Sequence, residues 1–190
     1  MKIMPRPIVA VLDVETTGLG HHAHPPRLDG VIQIGMACRK NGRIYQWSSY
    51  CNPGTHYLKN GRADAALRIN GISLETVLES PPAEEAVKLW TRKLQSICPD
   101  VTRMKFKSYN KKFDQPFLAS RPWNVGESQW SDCIMLAAQK HLGWDKWPKL
   151  SESMDALGID WPRGRQHDAA TDAHAALLVH EKIIGENNPF

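Results

Sequence analysis

The feature that most constrains the fold is a strand-like run, Ile8-Val-Ala-Val-Leu-Asp-Val14, entered by Pro7 and interrupted at its far end by acids. Near-continuous branched and aliphatic residues over one strand length predict a central strand covered on both faces. Strand residues alternate faces, so Asp13 and Glu15 project side by side from the end of that strand. Two such carboxylates repel one another and lose hydration unless protons or a cation neutralise them. A hard divalent cation suits the pair, because Mg²⁺ takes carboxylate oxygens together with water and phosphate. Alone, an Asp-x-Glu is also what a strand end looks like as it turns toward solvent, so the pair needs company to carry meaning.

The rest of the chain predicts an α/β frame. Val31 to Cys38 reads as a second strand, Asn41-Gly42 as a two-residue hairpin turn, and Arg43 to Tyr50 as the returning strand. Met104 to Tyr109 reads as a short fourth strand. Helical spacing appears at Val87, Trp90, Leu94 and Ile97, with Ser80 as the expected cap, Pro81 at the first position and Pro99 as the stop. Further helices are expected from near Phe113, over Cys133 to His141, over Leu150 to Leu157, and from a capping Asp168 to Ile184, with Gly185 ending the last. With 190 residues and no repeat or low-complexity stretch, a single domain over 1–190 is the simplest organisation.

Composition narrows the class without naming it. Hydrophobic residues at 42% and charged residues at 23% are those of a folded globular chain rather than a disordered one. The net charge of +4 tolerates a polyanionic partner but is far from a polybasic tail. Cys38, Cys51, Cys98 and Cys133 form no Cys-x-x-Cys pair, which argues against a zinc ribbon or a disulfide scaffold. The apolar run from Ile8 to Leu12 is too short for a signal-peptide core or a membrane span, so a soluble cytoplasmic protein is expected.

Two further clusters join the first. Asn110-Lys-Lys-Phe-Asp114 follows the fourth strand and puts Asp114 one helical turn before Phe117 and Leu118. A helix-starting Asp favoured by the helix dipole is the plain alternative. His167-Asp-Ala-Ala-Thr-Asp172 sets Asp172 in line with Ala176, Val179 and Ile183, an acid on an apolar stripe that needs a cation or proton partner. His167 lies just before the helix cap, where an imidazole can turn toward a substrate.

In order and spacing, Asp13-x-Glu15, Asp114 and His167 with Asp172 resemble the DEDD exonuclease superfamily, in particular its DEDDh branch of proofreading-subunit-like 3′→5′ exonucleases. The runs DVETTGL and VIQIGMA, Asn52-Pro53-Gly54, Ile69-Asn-Gly-Ile-Ser73 and Trp130-Ser-Asp-Cys133 extend the resemblance over about residues 8–184. It implies an RNase H-like mixed five-stranded sheet flanked by helices on both faces. It also implies two divalent cations, Mg²⁺ or Mn²⁺, with Asp13 shared between them and Glu15 and Asp172 completing the tighter site. Asp114 is then expected to act on the second ion through water, and His167 to be the general base. Backbone around Thr16, Thr17 and Gly18 is expected to hold the 3′-terminal nucleotide, with Asn110 near its sugar-phosphate. The implied partner is a nucleic acid with a single-stranded 3′ end, DNA before RNA. The alternatives are an RNA-trimming or oligoribonucleotide-degrading enzyme of the same fold, and a non-catalytic nucleic-acid-binding or polymerase-docking module.

Other segments depart from the family pattern or stand outside it. Three histidines, His21, His22 and His24, fall in a loop where the family has no such cluster, and a solvated loop is the expectation. The chain stops soon after the last helix, so a dedicated proofreading role is not expected. Trp144-Asp-Lys-Trp147-Pro-Lys149 has the aromatic and basic character of a base-stacking platform, although core packing or an oligomer contact is the preferred reading. Lys105, Lys107, Lys111 and Lys112 bracket the second motif, as phosphate contacts or as a solvated face.

Overall fold

The computed structural model describes residues 7–20, 29–59 and 61–187, so the loop with His21, His22 and His24 lies outside the described residues. Four strands, β1 (Ile8–Thr16), β2 (Val31–Lys40), β3 (Arg43–Tyr50) and β4 (Met104–Lys107), form one sheet in the order β3-β2-β1-β4. β1 is antiparallel to β2 and parallel to β4, which makes the sheet mixed and β1 central.

Helices cover both faces. α1 (Thr55–Leu58), α2 (Arg62–Asn70) and α3 (Leu74–Glu79) precede α4 (Ala83–Ile97) and α5 (Lys111–Leu118), and α6 (Ile134–Leu142), α7 (Leu150–Ala156) and α8 (Ala169–Asn187) follow. Ala10, Leu12 and Val14 of β1 pack into one core with Trp90 of α4 and Phe117 of α5. Val11 packs into the other, with Ile134 of α6, Met154 of α7 and Ala173, Ala176 and Val179 of α8. By alternation Asp13 and Glu15 continue the face of Val11, so the acids begin where the α8-side core ends.

The sheet has four strands among the described residues, not five. Beside β4, where a fifth strand would pair, one parallel bridge joins Phe106 to Trp130, and the Ser131 N–H donates to the Phe106 carbonyl at 2.8 Å. Glu127–Gln129 coils into a 3-10 turn there, and the neighbouring Gly126, Ser128 and Asp132 lack the branched side chains that favour a strand.

Several element ends also differ from expectation. Ser80 closes α3, its hydroxyl donating to the Thr76 carbonyl at 2.6 Å, while α4 starts at Ala83 with Pro82 as its N-cap residue. β4 ends at Lys107 rather than Tyr109, because the Ser108 and Tyr109 carbonyls accept from Ile134 and Met135 at the start of α6. α8 continues through Gly185 to Asn187. Pro116 lies past the first turn of α5, and the helix ends two residues later. Asp168 is the cap expected of it: its Oδ1 accepts from the Thr171 N–H at 3.1 Å and from the Thr171 hydroxyl at 2.9 Å.

α8 and β2 meet backbone to backbone. A Cβ on Gly35 would sit 2.0 Å from the carbonyl carbon of Ala169, so only a glycine admits the helix at that depth. Gly35 is also the partner of Asp13 across the β1–β2 ladder. Gly35→Ala is therefore expected to push the start of α8 off the sheet. An overpacked core position costs roughly 1–3 kcal/mol or more, which corresponds to a melting temperature lower by roughly 2–10 °C for a chain of this size. A thermal melt of the variant against wild type checks this.

Candidate active site

The four acids reach the site from three elements. Asp13 and Glu15 come from the last turn of the pleat of β1, Asp114 from the first turn of α5 and Asp172 from the first turn of α8. β4 is the shorter strand: its register with β1 stops at the pair Val11 and Lys107. Beyond that point β1 keeps β2 on one edge but has no strand on the β4 edge, and the Val14 N–H donates to Asp114 Oδ1 at 3.2 Å. This bond fixes Asp114, which is buried, against the end of the central strand. The carboxyl ends of parallel strands at a change of direction are where α/β sheets place ligands.

The α8 side is held by a second network. Gln33, buried on β2, donates through Nε2 to Asp168 Oδ2 at 2.9 Å, and its Oε1 accepts from the Ala169 N–H at 3.1 Å. The amide clamps the first turn of α8, and Asp172 follows one turn later. His167 precedes the cap with φ 60°, exposed at the lip, and its N–H donates to Asp172 Oδ2 at 3.2 Å. Asp13, Glu15, Asp114, His167 and Asp172 line one cleft of about 330 Å³ together with Asn110, Tyr109, Leu19 and Phe113.

The turn after β1 is organised from inside. Asp29, only 1% exposed, accepts from the Thr17 hydroxyl at 3.3 Å and from the Gly20 N–H at 2.5 Å. The Thr17 hydroxyl in turn accepts from the Gly30 N–H at 3.0 Å, and the Thr16 hydroxyl donates to the Gly18 carbonyl at 2.7 Å. A Cβ on Gly18 would lie 2.7 Å from Asp29 Oδ1, so the close turn needs a glycine there. Asn70, at the end of α2, donates to the Thr16 carbonyl at 3.2 Å. The Thr17 side chain is thus directed into the protein, and its N–H donates to the Gly30 carbonyl at 2.9 Å. Asn110, at the start of α5, is exposed on the rim of the cleft.

No sequence pattern singles out Asp29, Gln33, Asp168 in its clamp or Arg165. Asp29 and Gln33 lie beside apolar strand residues, and a buried polar residue next to a strand is a weak signal of support for a neighbouring turn. Arg165 donates to the Gly71 carbonyl at 2.9 Å and brings a positive charge toward Glu15.

The electrostatics are those of uncompensated acids. Burial, followed by the charges of Asp114, Asp172 and Glu15, holds the Asp13 carboxyl well above the usual carboxylate range. Glu15 is pushed up to about 8 by burial and by Asp172 and Asp114, with Arg165 opposing. Burial raises Asp114 to about 7 against the hydrogen bond from Val14, and Asp172 to about 6 against the one from His167. Asp172 Oδ1 is buried with no hydrogen-bond partner. One ligand atom each from Glu15, His167 and Asp172 lies within 4.8 Å of the others. Oxygen-rich, acidic and short of donors, this set fits a hard divalent cation.

The sequence matches no protein-family model and no curated protein. The fold does have solved counterparts. Cell-death related nuclease 4 superposes with a TM-score of 0.71 at 14% identity, over 96% of this chain and 65% of that one. E. coli Exonuclease I, in complex with a 5cy-dT13 oligonucleotide, superposes with 0.67 at 18% identity, over 97% of this chain and 42% of that one. The nuclease domain of 3′hExo, a DEDDh family member bound to rAMP, superposes with 0.67 at 13% identity, over 95% of this chain and 93% of that one. The chain therefore spans less than two thirds of the first two. It has the RNase H-like fold of the DEDDh-type exonucleases, a mixed open sheet flanked by helices.

A pH dependence follows from the raised acids. Their protonated forms are favoured in the folded state, so the folded protein holds protons that the unfolded chain, with carboxyls near the ordinary value of about 4, has released. That stability is fully present below about pH 4 and is lost as pH rises through the folded values of about 6, 7 and 8. In EDTA the melting temperature is expected to fall between pH 5 and pH 8, and Asp13→Asn to melt above wild type at pH 8. Excess Mg²⁺ or Mn²⁺ should flatten the wild-type profile, because a ligand of the folded state replaces the protons. A level profile in EDTA, or an amide variant that melts lower, shows that the acids are compensated by other contacts.

Proposed function

We propose that this protein is a metal-dependent 3′→5′ exonuclease that releases nucleoside 5′-monophosphates from the 3′ end of single-stranded DNA. The observation that carries the reading is the convergence of Asp13, Glu15, Asp114, Asp172 and His167, from β1, α5 and α8, on one cleft. Asp13, Glu15 and Asp172 would hold the tighter cation, with Asp13 shared with a second ion that Asp114 reaches through water. When bound, two Mg²⁺ or Mn²⁺ ions stabilise the attacking and leaving oxygens of an in-line displacement.

The chain's own residues do the rest. The backbone of Thr16–Gly18, braced by Asp29 and Asn70, seats the terminal nucleotide, and Asn110 orients its sugar-phosphate. His167 takes the proton of the attacking water at its imidazole, as a base suited to neutral pH. Water oxygen bonds to phosphorus, the bond from phosphorus to the 3′ oxygen of the preceding nucleotide breaks, and a nucleoside 5′-monophosphate leaves. DNA is the preferred substrate because the E. coli Exonuclease I neighbour carries a dT13 oligonucleotide. RNA is the second reading, favoured by the rAMP in the nuclease domain of 3′hExo. Among the described residues no helix is long and apolar enough to cross a membrane, and a cytoplasmic site of action completes the reading.

The test is an assay with 3′- and 5′-labelled single-stranded DNA, duplex DNA and RNA in Mg²⁺, Mn²⁺ and EDTA. Mononucleotides released from the 3′ end only with metal support the reading, and the substrate ranking decides between DNA and RNA. Asp13→Ala, Glu15→Ala, Asp114→Ala and Asp172→Ala are each expected to lower turnover by orders of magnitude in folded protein. Near-wild-type rates in two of them overturn the metal assignment. His167→Ala is expected to lose ~10²–10⁴-fold at neutral pH and to recover part of it as pH rises, since hydroxide replaces a base more readily than a ligand.

A further inference from the structure

The tryptophans near the C-terminal half divide into two kinds. Trp123 and Trp130 are buried against Trp90 and Phe106, with ring centroids 6.1 and 6.3 Å apart, and Trp161 packs on the α8-side core. Trp144 is half-buried beneath Lys146, whose Nζ lies 5.6 Å from the ring centroid. Trp147 is different, with 61% of its surface exposed. A single exposed hydrophobic side chain is common and assigns nothing by itself, but this loop holds its indole in one place. The Tyr109 hydroxyl lies 3.0 Å from the carbonyls of both Pro148 and Lys149 and 2.7 Å from Ser153 Oγ. Glu152 accepts from the Lys149 N–H at 2.8 Å and from Lys146 Nζ at 2.5 Å. Tyr109 also lines the acidic cleft, so the loop carrying Trp147 is anchored to the wall of the candidate active site.

Trp147 borders a groove of about 300 Å³ lined by Met135, Leu136, Asn110, Lys111 and Lys112, its exposed wall largely apolar. Asn110 lines both this groove and the acidic cleft, so the two are adjacent. The four lysines around the second motif separate accordingly: Lys105 and Lys107 donate to the carbonyls of Ser128 and Asp132, whereas Lys111 and Lys112 face the groove. An exposed indole with two lysines along the same groove matches a base and the phosphates that flank it.

We propose that the Trp147 groove is a second nucleotide subsite, in which a base upstream of the 3′-terminal nucleotide stacks on Trp147 while Lys111 and Lys112 meet the adjoining phosphates of an unpaired strand. It rests on the exonuclease reading for the direction of the strand. A ring already held in place loses little freedom on binding, so stacking is retained as affinity.

The test compares wild type, Trp147→Ala and Trp147→Phe on a dinucleotide and an octamer of dT, with an octamer of U as a parallel arm. Base–aromatic stacking corresponds to roughly 5- to 150-fold in affinity. KM for the octamer is expected to rise in Trp147→Ala by at least about tenfold relative to any change for the dinucleotide, and Trp147→Phe to restore most of it. The arm with the larger effect shows which sugar the groove accepts. In parallel, anisotropy of a labelled dT octamer in EDTA reads binding without turnover and should weaken by a similar factor. Equal losses on both substrates, or no loss in either measurement, overturn the subsite. A wild type that self-associates through this face, with Trp147→Ala monomeric and octamer binding unchanged, also overturns it. If wild type hydrolyses neither substrate, the exonuclease reading fails while the anisotropy still decides whether the groove holds a strand.

Discussion

Helix α8 touches the sheet backbone to backbone at Gly35, and the site is arranged around that contact. With no side chain between them, the first turn of α8 lies close to β2, and Gln33 holds it there through Asp168 and the Ala169 N–H. Asp13 pairs with Gly35 in the ladder, so the depth of the helix sets how near Asp172 comes to Asp13 and Glu15. The alanines at 169, 170, 173 and 176 continue the same close approach along the helix, where larger residues would lift it. A helix N-terminus also presents its positive dipole end to the acids, a partial offset to their mutual repulsion.

That offset is incomplete, and the remainder has a functional meaning. Burial disfavours each ionised carboxylate, and the neighbouring charges add to the effect rather than cancel it. Among the causes acting on Glu15, Arg165 alone opposes, and it is itself bonded to Gly71. A fold selected only for stability would replace such a cluster with apolar residues. Strain of this kind persists where it is used, and perturbed acids grouped in a cleft mark a site of chemistry. The supporting bonds divide the work: Val14 holds Asp114, His167 holds Asp172, and Asp29 holds the turn that follows the first two acids.

The candidate site motifs were legible along the chain because their physics is local. The burial of Ala10–Leu12 and Val14, the placing of Asp13 and Glu15 on one strand face and the alignment of Asp172 with Ala176, Val179 and Ile183 all follow from strand and helix periodicity. The hairpin at Asn41-Gly42 follows from its turn chemistry, with both residues at positive φ. Ser80 and Gly185 misled, because a serine closes a short helix as readily as it opens a long one, and an exposed glycine near a helix end weakens the helix without ending it. The five-strand sheet came from resemblance to a family, and the polar segment around Ser128 offers β4 no more than one bridge.

The sequence by itself determined the order of β1–β4 and α4–α8 and roughly where each lies, since those depend on contacts a few residues apart, whereas it carried no sign of the short helices α1–α3. It also determined that Asp13 and Glu15 share a face. Only the tertiary structure decided that Asp114, a hundred residues along, would take the Val14 N–H, or that Asp29 and Gln33 would hold the turn and the helix. Only it separated Trp147 from the indoles buried in the core. The reason is physical: hydrogen bonds and packing between distant segments depend on the depth and angle at which elements meet, and those are set by the whole core rather than by any local pattern.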